Sequence, residues 1–180
     1  MMWLMVNCLL LVQCAVDNKK IIDPRKPQFD TTDPSELFFK NVRALYYDRE
    51  ENQAAKLEIF RIKSNATIAD STALNVAIIL NWRLDQAYVL IEPGKLLAGE
   101  QAVTLVWEDE KEGAEGSVAF DLKDKNSQFT LASTIYGYIL KGYDIYYLEN
   151  GKKRPLLASK EAKEAFRITM FDFYNLVELL

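Results

Sequence analysis

The alternation of apolar and polar positions divides the chain into three parts. Residues 1–14 carry no charged side chain, and Asp17 is the first in the sequence. Trp3 to Val12 is apolar apart from Asn7, about as long as the hydrophobic region of an export signal. It is shorter than the ~20 residues a membrane-spanning helix needs. Residues 15–33 turn polar, with Asp17-Asn18-Lys19-Lys20, Asp23-Pro24-Arg25-Lys26-Pro27 and a third Asp/Thr-rich stretch running into Pro34. That composition predicts a flexible tether or, alternatively, an arm laid along a domain. From residue 34 to 180 the periodicity is that of a folded domain.

Within that domain, Asp33-Pro34-Ser35-Glu36 reads as a helix start, with Asp33 as cap, Pro34 in the first helical position and Glu36 at the third. Phe38, Val42, Leu45 and Arg49 then fall on one stripe, flanked by Leu37 and Tyr46, so the spacing predicts a helix over 34–50. Strand-like runs follow at 56–63, 75–81, 87–92, 102–107 and 116–122, joined by short connections such as Trp82-Arg83-Leu84-Asp85 and the turn signal Pro93-Gly94. Close turns between short strands favour antiparallel pairing. Ser127 is placed to cap a second helix that Gly142 ends. Asn150-Gly151, between strands 143–149 and 152–157, is the preferred pair for a two-residue hairpin. Ser159 opens a short helix to Phe166, Arg167 to Met170 reads extended, and Asp172 caps a final turn.

These elements specify an α+β fold: an antiparallel β-sheet with a few helices packed on it, as one domain over 34–180. The alternative is a β-sandwich with peripheral helices. The expected core is Phe38, Val42, Leu45, Ile59, Val76, Ile78, Leu90, Leu105, Phe120, Ile139 and Ile168.

Leu11-Val12-Gln13-Cys14 resembles a bacterial lipobox, in which a Leu three residues before a Cys marks the thiol that is lipidated and becomes the mature N-terminus. Gln13 stands where Gly, Ala or Ser is usual, and no Lys or Arg precedes the apolar run. The resemblance implies that residues 1–14 are a signal and lipidation segment, that Cys14 carries the lipid, and that the protein sits in the cell envelope on a lipid anchor. Two other readings of the segment stay open: cleavage after Cys14 by an ordinary signal peptidase, and retention as a buried apolar element of a cytoplasmic protein. The resemblance covers only these fourteen residues.

Composition narrows the chemistry. The 180 residues include no His, and both Cys lie within the first fourteen, so residues 15–180 hold no thiolate nucleophile, disulfide or His/Cys metal site. A net charge of -4 leaves no basic footprint for nucleic acid. No Gly-rich phosphate loop and no Gly-x-Ser-x-Gly elbow is present. The acidic run Glu108-Asp109-Glu110-Lys111-Glu112 lacks the spacing of a calcium loop and reads as a solvated hairpin turn, and Asp121, Asp124 and Asn126 are weighed the same way. The sequence therefore gives no catalytic, cofactor-binding or metal-ligating residue.

Aromatic residues are the remaining clue. Five tyrosines crowd positions 136–147, and Trp82 and Trp107 fall in the sheet region. If Trp82, Tyr138 and Tyr143 face outward they form a stacking platform for a glycan or a protein partner, and Arg83 beside Trp82 could clamp a carboxylate or phosphate. The competing reading lines the core with them. The function expected from the sequence is a non-catalytic binding or accessory module of the envelope, anchored to the membrane by a lipid. The alternatives are an exported enzyme acting on a glycan through paired carboxylates, with Asp85 and Glu92 or Asp144 and Glu149 as the pair, and an oligomer-forming structural subunit.

Overall fold

The computed structural model describes residues 20–67, 72–92 and 102–180. Helix α1 (Asp33–Phe38) starts one residue earlier than its cap predicts. Thr32 takes the capping position, accepting from the Ser35 N–H while the Ser35 hydroxyl accepts from the Thr32 N–H, so Asp33 and Pro34 become the first two helical residues. The helix does not run to residue 50. It widens into a π-helical turn (Phe39–Arg43), in which the Ala44 N–H reaches back to the Phe39 carbonyl, and tightens into a 3-10 turn (Ala44–Tyr46). Strand β1 (Tyr47–Asn52) follows.

The π turn changes which side chain faces inward. Phe39 is buried, its ring meeting Phe60 edge-on at 5.0 Å and Tyr47 at 5.7 Å. The expected core stripe points out instead: Phe38, Val42 and Leu45 are 53%, 43% and 57% exposed. This corrects the sequence reading. A helix this short is anchored through one side chain, and the extra residue per turn of a π segment rotates its neighbours out of the interface.

Strands β2 (Leu57–Ile62), β3 (Asn75–Asn81) and β4 (Gln86–Glu92) complete a four-stranded antiparallel sheet in the order β1-β2-β3-β4. Its inner face carries Phe60, Ile62, Val76, Ile78, Leu80, Ala87, Val89 and Ile91. Ile59 and Leu90, expected inside, are half-buried on the other face, because a strand's side chains alternate and the buried phase of β2 and β4 is the opposite one.

A second antiparallel sheet has the order β6-β5-β7-β8, from β5 (Ala102–Asp109), β6 (Ala114–Asp121), β7 (Asp144–Glu149) and β8 (Lys152–Leu156). At the β7–β8 turn Asn150 and Gly151 take φ of 50° and 74°, as the two-residue hairpin requires. Helix α2 (Lys125–Lys141) begins at an Asp124 cap, with Ser127 three residues in, and ends at Gly142 in the left-handed region. Helix α3 (Lys160–Leu176) is continuous from its Ser159 cap. The extended stretch expected at 167–170 is therefore helical, and Asp172 lies inside the helix rather than capping a turn: Phe166, Thr169, Met170 and Phe173 recur at helical spacing and all are buried.

The helices are central, not peripheral. Helix α2 packs on β4 of the first sheet and on β6 and β7 of the second, while α3 lies against β3, β4, α2 and α1. Tyr136 and Phe129 of α2 meet Tyr174 of α3 edge-on in the shared core. The result is an α+β fold with two antiparallel sheets. Residues 20–32 lie along this body: Ile22 is buried, Phe29 and Thr31 hydrogen-bond the backbone at Ala87 and Asp85, and the Lys20 ammonium donates to the Leu179 carbonyl at 2.8 Å.

Candidate functional site

The stripe that the π turn expels defines the most distinctive surface. Leu37, Phe38, Val42, Leu45 and Tyr46 are five of the nine large apolar side chains exposed among the described residues, and they fall within ten consecutive positions. Isolated exposed apolar residues are ordinary, whereas a contiguous set marks a binding surface. Four of the five line two adjoining clefts between this segment and α3. One cleft, of about 450 Å³, is walled by Leu45, Tyr46, Ile62 and Ile168, with Arg43 and Lys63 among its lining. The other, of about 430 Å³, is walled by Phe38, Val42, Ile168 and Phe171, with Arg43, Arg167 and Asp172 among its lining. Arg43 and Ile168 line both, so the two clefts adjoin, and the pair is termed the groove.

Its wall is fixed by a buried polar cluster. The Asp172 carboxylate, 1% exposed, accepts from Arg43 Nε at 2.7 Å and Nη2 at 3.1 Å, and from the Tyr47 hydroxyl at 2.7 Å. Burial, and then the adjacent Asp172 charge, push the Tyr47 phenol far above its ordinary range, so it stays a hydrogen-bond donor. The hydrogen bonds that Arg43 donates to Asp172 likewise raise the pKa of its guanidinium. Arg43 also lies 4.9 Å from the Tyr46 ring centroid, which orders the mouth of the cleft. On the far side, Lys63 Nζ donates to the Leu45 carbonyl at 3.0 Å. Sequence reasoning missed this groove. The stripe was visible, but amphipathic spacing is the same whether a stripe faces a core or a ligand.

The residues singled out from sequence lie elsewhere. Cys14 is outside the described residues. Trp82 and Arg83 sit in the β3–β4 turn, Trp82 being 42% exposed with the Lys56 ammonium 4.8 Å from its ring, and the Arg83 N–H donates to Asn81 Oδ1 at 3.2 Å. Tyr138 and Tyr143 do come together, at 5.9 Å, but around Trp107 rather than Trp82. Trp107 stacks on Tyr143 at 4.8 Å and 16°, and Lys141 Nζ is 5.5 Å from the Tyr143 ring. Internal partners thus occupy these rings, and all three aromatics are half-buried.

The carboxylates considered for acid–base work are dispersed as well. Asp85 and Glu92 flank β4 at opposite ends, roughly 23 Å apart at ~3.3 Å per residue, and Asp144 and Glu149 roughly 17 Å. Glycosidase pairs sit about 5–9.5 Å apart. Glu92 is paired with Arg61 at 2.7 Å, Asp144 with Lys163 at 3.1 Å and Glu149 with Arg154 at 2.9 Å. In the acidic turn, Glu108 and Glu115 both bind Lys153, and Asp109 accepts from the Lys111 N–H. Among the described residues no group of three or more acidic, His or Cys side chains is arranged to hold a metal ion, and no helix is long and apolar enough to cross a membrane. No protein-family model, curated protein or solved structure matches the chain.

Proposed function

We propose that this is an exported envelope protein, lipid-anchored at Cys14, that works without catalysis by holding a small amphiphile in the groove between residues 37–46 and α3. The observation that carries the binding function is the pair of adjoining apolar clefts whose walls are large side chains left exposed by the π turn. Each cleft falls within the ~300–1,000 Å³ usual for small-molecule sites. A ligand with an alkyl chain would cover Phe38, Val42, Leu45 and Tyr46 without requiring the fold to change.

The anchor is supported by Leu11-Val12-Gln13-Cys14. Lys20 hydrogen-bonds the Leu179 carbonyl just beyond α3, so six residue steps separate Cys14 from the body, at most roughly 21 Å of chain. A domain on so short a leash stays within reach of the membrane surface, where amphiphiles are concentrated.

Two measurements test the proposal. The intact mass of protein recovered from its native membrane fraction should show a chain beginning at an acylated Cys14, and Cys14→Ser should release it to the soluble fraction. An unmodified chain beginning at Met1 would discard the anchor. For the groove, the neutral fluorophore N-phenyl-1-naphthylamine should brighten on mixing with the wild type. Ile168→Glu, which places a carboxylate at the junction of both clefts, should abolish the signal.

A further inference from the structure

We infer that the groove selects an amphiphile with a carboxylate head, a free fatty acid in chemical class, and that Arg43 and Lys63 read that head. This rests on the amphiphile-binding proposal and adds to it the sign of the ligand's charge.

The cleft walled by Leu45, Tyr46, Ile62 and Ile168 has two cationic side chains in its lining and, among the described residues, no carboxylate, in a protein whose acids outnumber its bases, 26 against 22. The Asp172 carboxylate that neutralises Arg43 is buried on the side of the second cleft. It takes Nε and Nη2 of the guanidinium, which leaves Nη1 as a donor. Lys63 gives one proton to the Leu45 carbonyl and keeps two. Both cations thus keep donors that their present contacts do not use, and a carboxylate head in this cleft can take a charge-assisted hydrogen bond from them. Binding there costs little side-chain entropy, because Arg43 is already ordered by Asp172 and Tyr46. The alkyl chain then lies on Ile168 and runs toward Phe38 and Val42, since Ile168 is common to both clefts.

A cationic amphiphile finds the reverse. It would place its head against Arg43 and Lys63, and the carboxylate among the groove's described lining residues, Asp172, is only 1% exposed and already holds two partners. An acidic peptide or an anionic bilayer could meet the same charges, but the two clefts are sized for a single chain rather than a helix face or a flat surface.

The test is displacement of N-phenyl-1-naphthylamine from the full protein by dodecanoate, 1-dodecanol and dodecyltrimethylammonium, each below its critical micelle concentration. Dodecanoate should compete at least tenfold better than either of the others. Lys63→Glu should abolish that preference, read as the ratio of dodecanoate to 1-dodecanol competition relative to the variant's own fluorophore affinity, and Lys63→Arg should retain it. Equal competition by all three chains overturns the carboxylate assignment and leaves the amphiphile-binding proposal standing. Failure of the fluorophore itself to bind overturns both. Competition only by phosphatidylglycerol vesicles or by a poly-glutamate peptide, with dodecanoate inert, overturns the assignment in favour of a surface or a macromolecule.

Discussion

Arg43 on the π-helical turn and Asp172 in the C-terminal half of α3 form a two-pronged ion pair, 129 residues apart in sequence, that ties the exposed apolar segment to the core. Asp172 is 1% exposed and Arg43 28%. Removing the cation therefore leaves a buried carboxylate with only the Tyr47 hydroxyl and solvent reorganisation to compensate it. Arg43→Ala should cost about 3 kcal/mol, the lower end for breaking a buried pair, read as a lower urea midpoint at unchanged slope. Arg43→Lys should recover less than half of that, because a single ammonium cannot reproduce the fork. A loss below about 0.5 kcal/mol for Arg43→Ala would mean that the pair does not hold the segment.

Adjacent phenylalanines should behave oppositely. Phe39 is 1% exposed between Tyr47 and Phe60, whereas Phe38 is 53% exposed. Phe39→Ala should destabilise by about 3–5 kcal/mol, and Phe38→Ala should stay within about 0.5 kcal/mol of the wild type. Denaturant titration of the two variants checks the π turn directly, since a regular α-helix carrying the Phe38–Val42–Leu45 stripe inward would reverse the order.

Gly116 is required by its cross-strand neighbour. A Cβ added there would lie 2.8 Å from Cε2, Cζ2 and Nε1 of Trp107, and that ring is held on its other partners, Tyr143 and Tyr138. The clash is with a rigid indole rather than a flexible chain end. Gly116→Ala should cost about 1–3 kcal/mol and alter the near-ultraviolet circular dichroism of the aromatic stack. Unchanged spectra would show that Trp107 does not cover the glycine in solution.

Acid sensitivity should be traceable to the α2 cap. The Ser127 N–H, at 2.8 Å, holds the Asp124 carboxyl below its ordinary value. Arg167 does the same to Glu164, and Lys153 to Glu115. A carboxylate whose folded pKa is lowered contributes stability above its unfolded value of about 4, and that contribution disappears as pH falls through the folded value. Stability should therefore decline below about pH 4. Asp124→Asn keeps a good cap without a titrating group. Its urea midpoint should match the wild type near pH 7 and fall less steeply below pH 4; parallel acid profiles for the two proteins would rule out the cap as a source of the decline.

Much of the architecture was legible because it is local. Strands β3 to β7 follow from runs of β-branched and apolar residues between turn formers, and the Asn150-Gly151 hairpin from the need for positive φ at two successive positions. The α2 terminus at Gly142 and the α3 start at Ser159 are likewise written in single residues. These features depend on steric preferences and hydrogen bonds within a few residues, so they can be read without the rest of the fold.

The groove was not legible, because its residues acquire meaning only across the fold. Phe38, Val42 and Leu45 have the spacing of a buried stripe, and only the packing of Phe39 between Tyr47 and Phe60 turns them outward. Arg167 to Met170 resembles a strand in isolation, yet the burial of Phe166, Thr169, Met170 and Phe173 on one face carries the helix through it. Asp172 looks like a cap and is instead the buried partner of Arg43. In each case local preference is worth tenths of a kcal/mol per residue, while burial of a large side chain or pairing of a buried charge is worth about 1.5–3 kcal/mol or more, so tertiary packing decides.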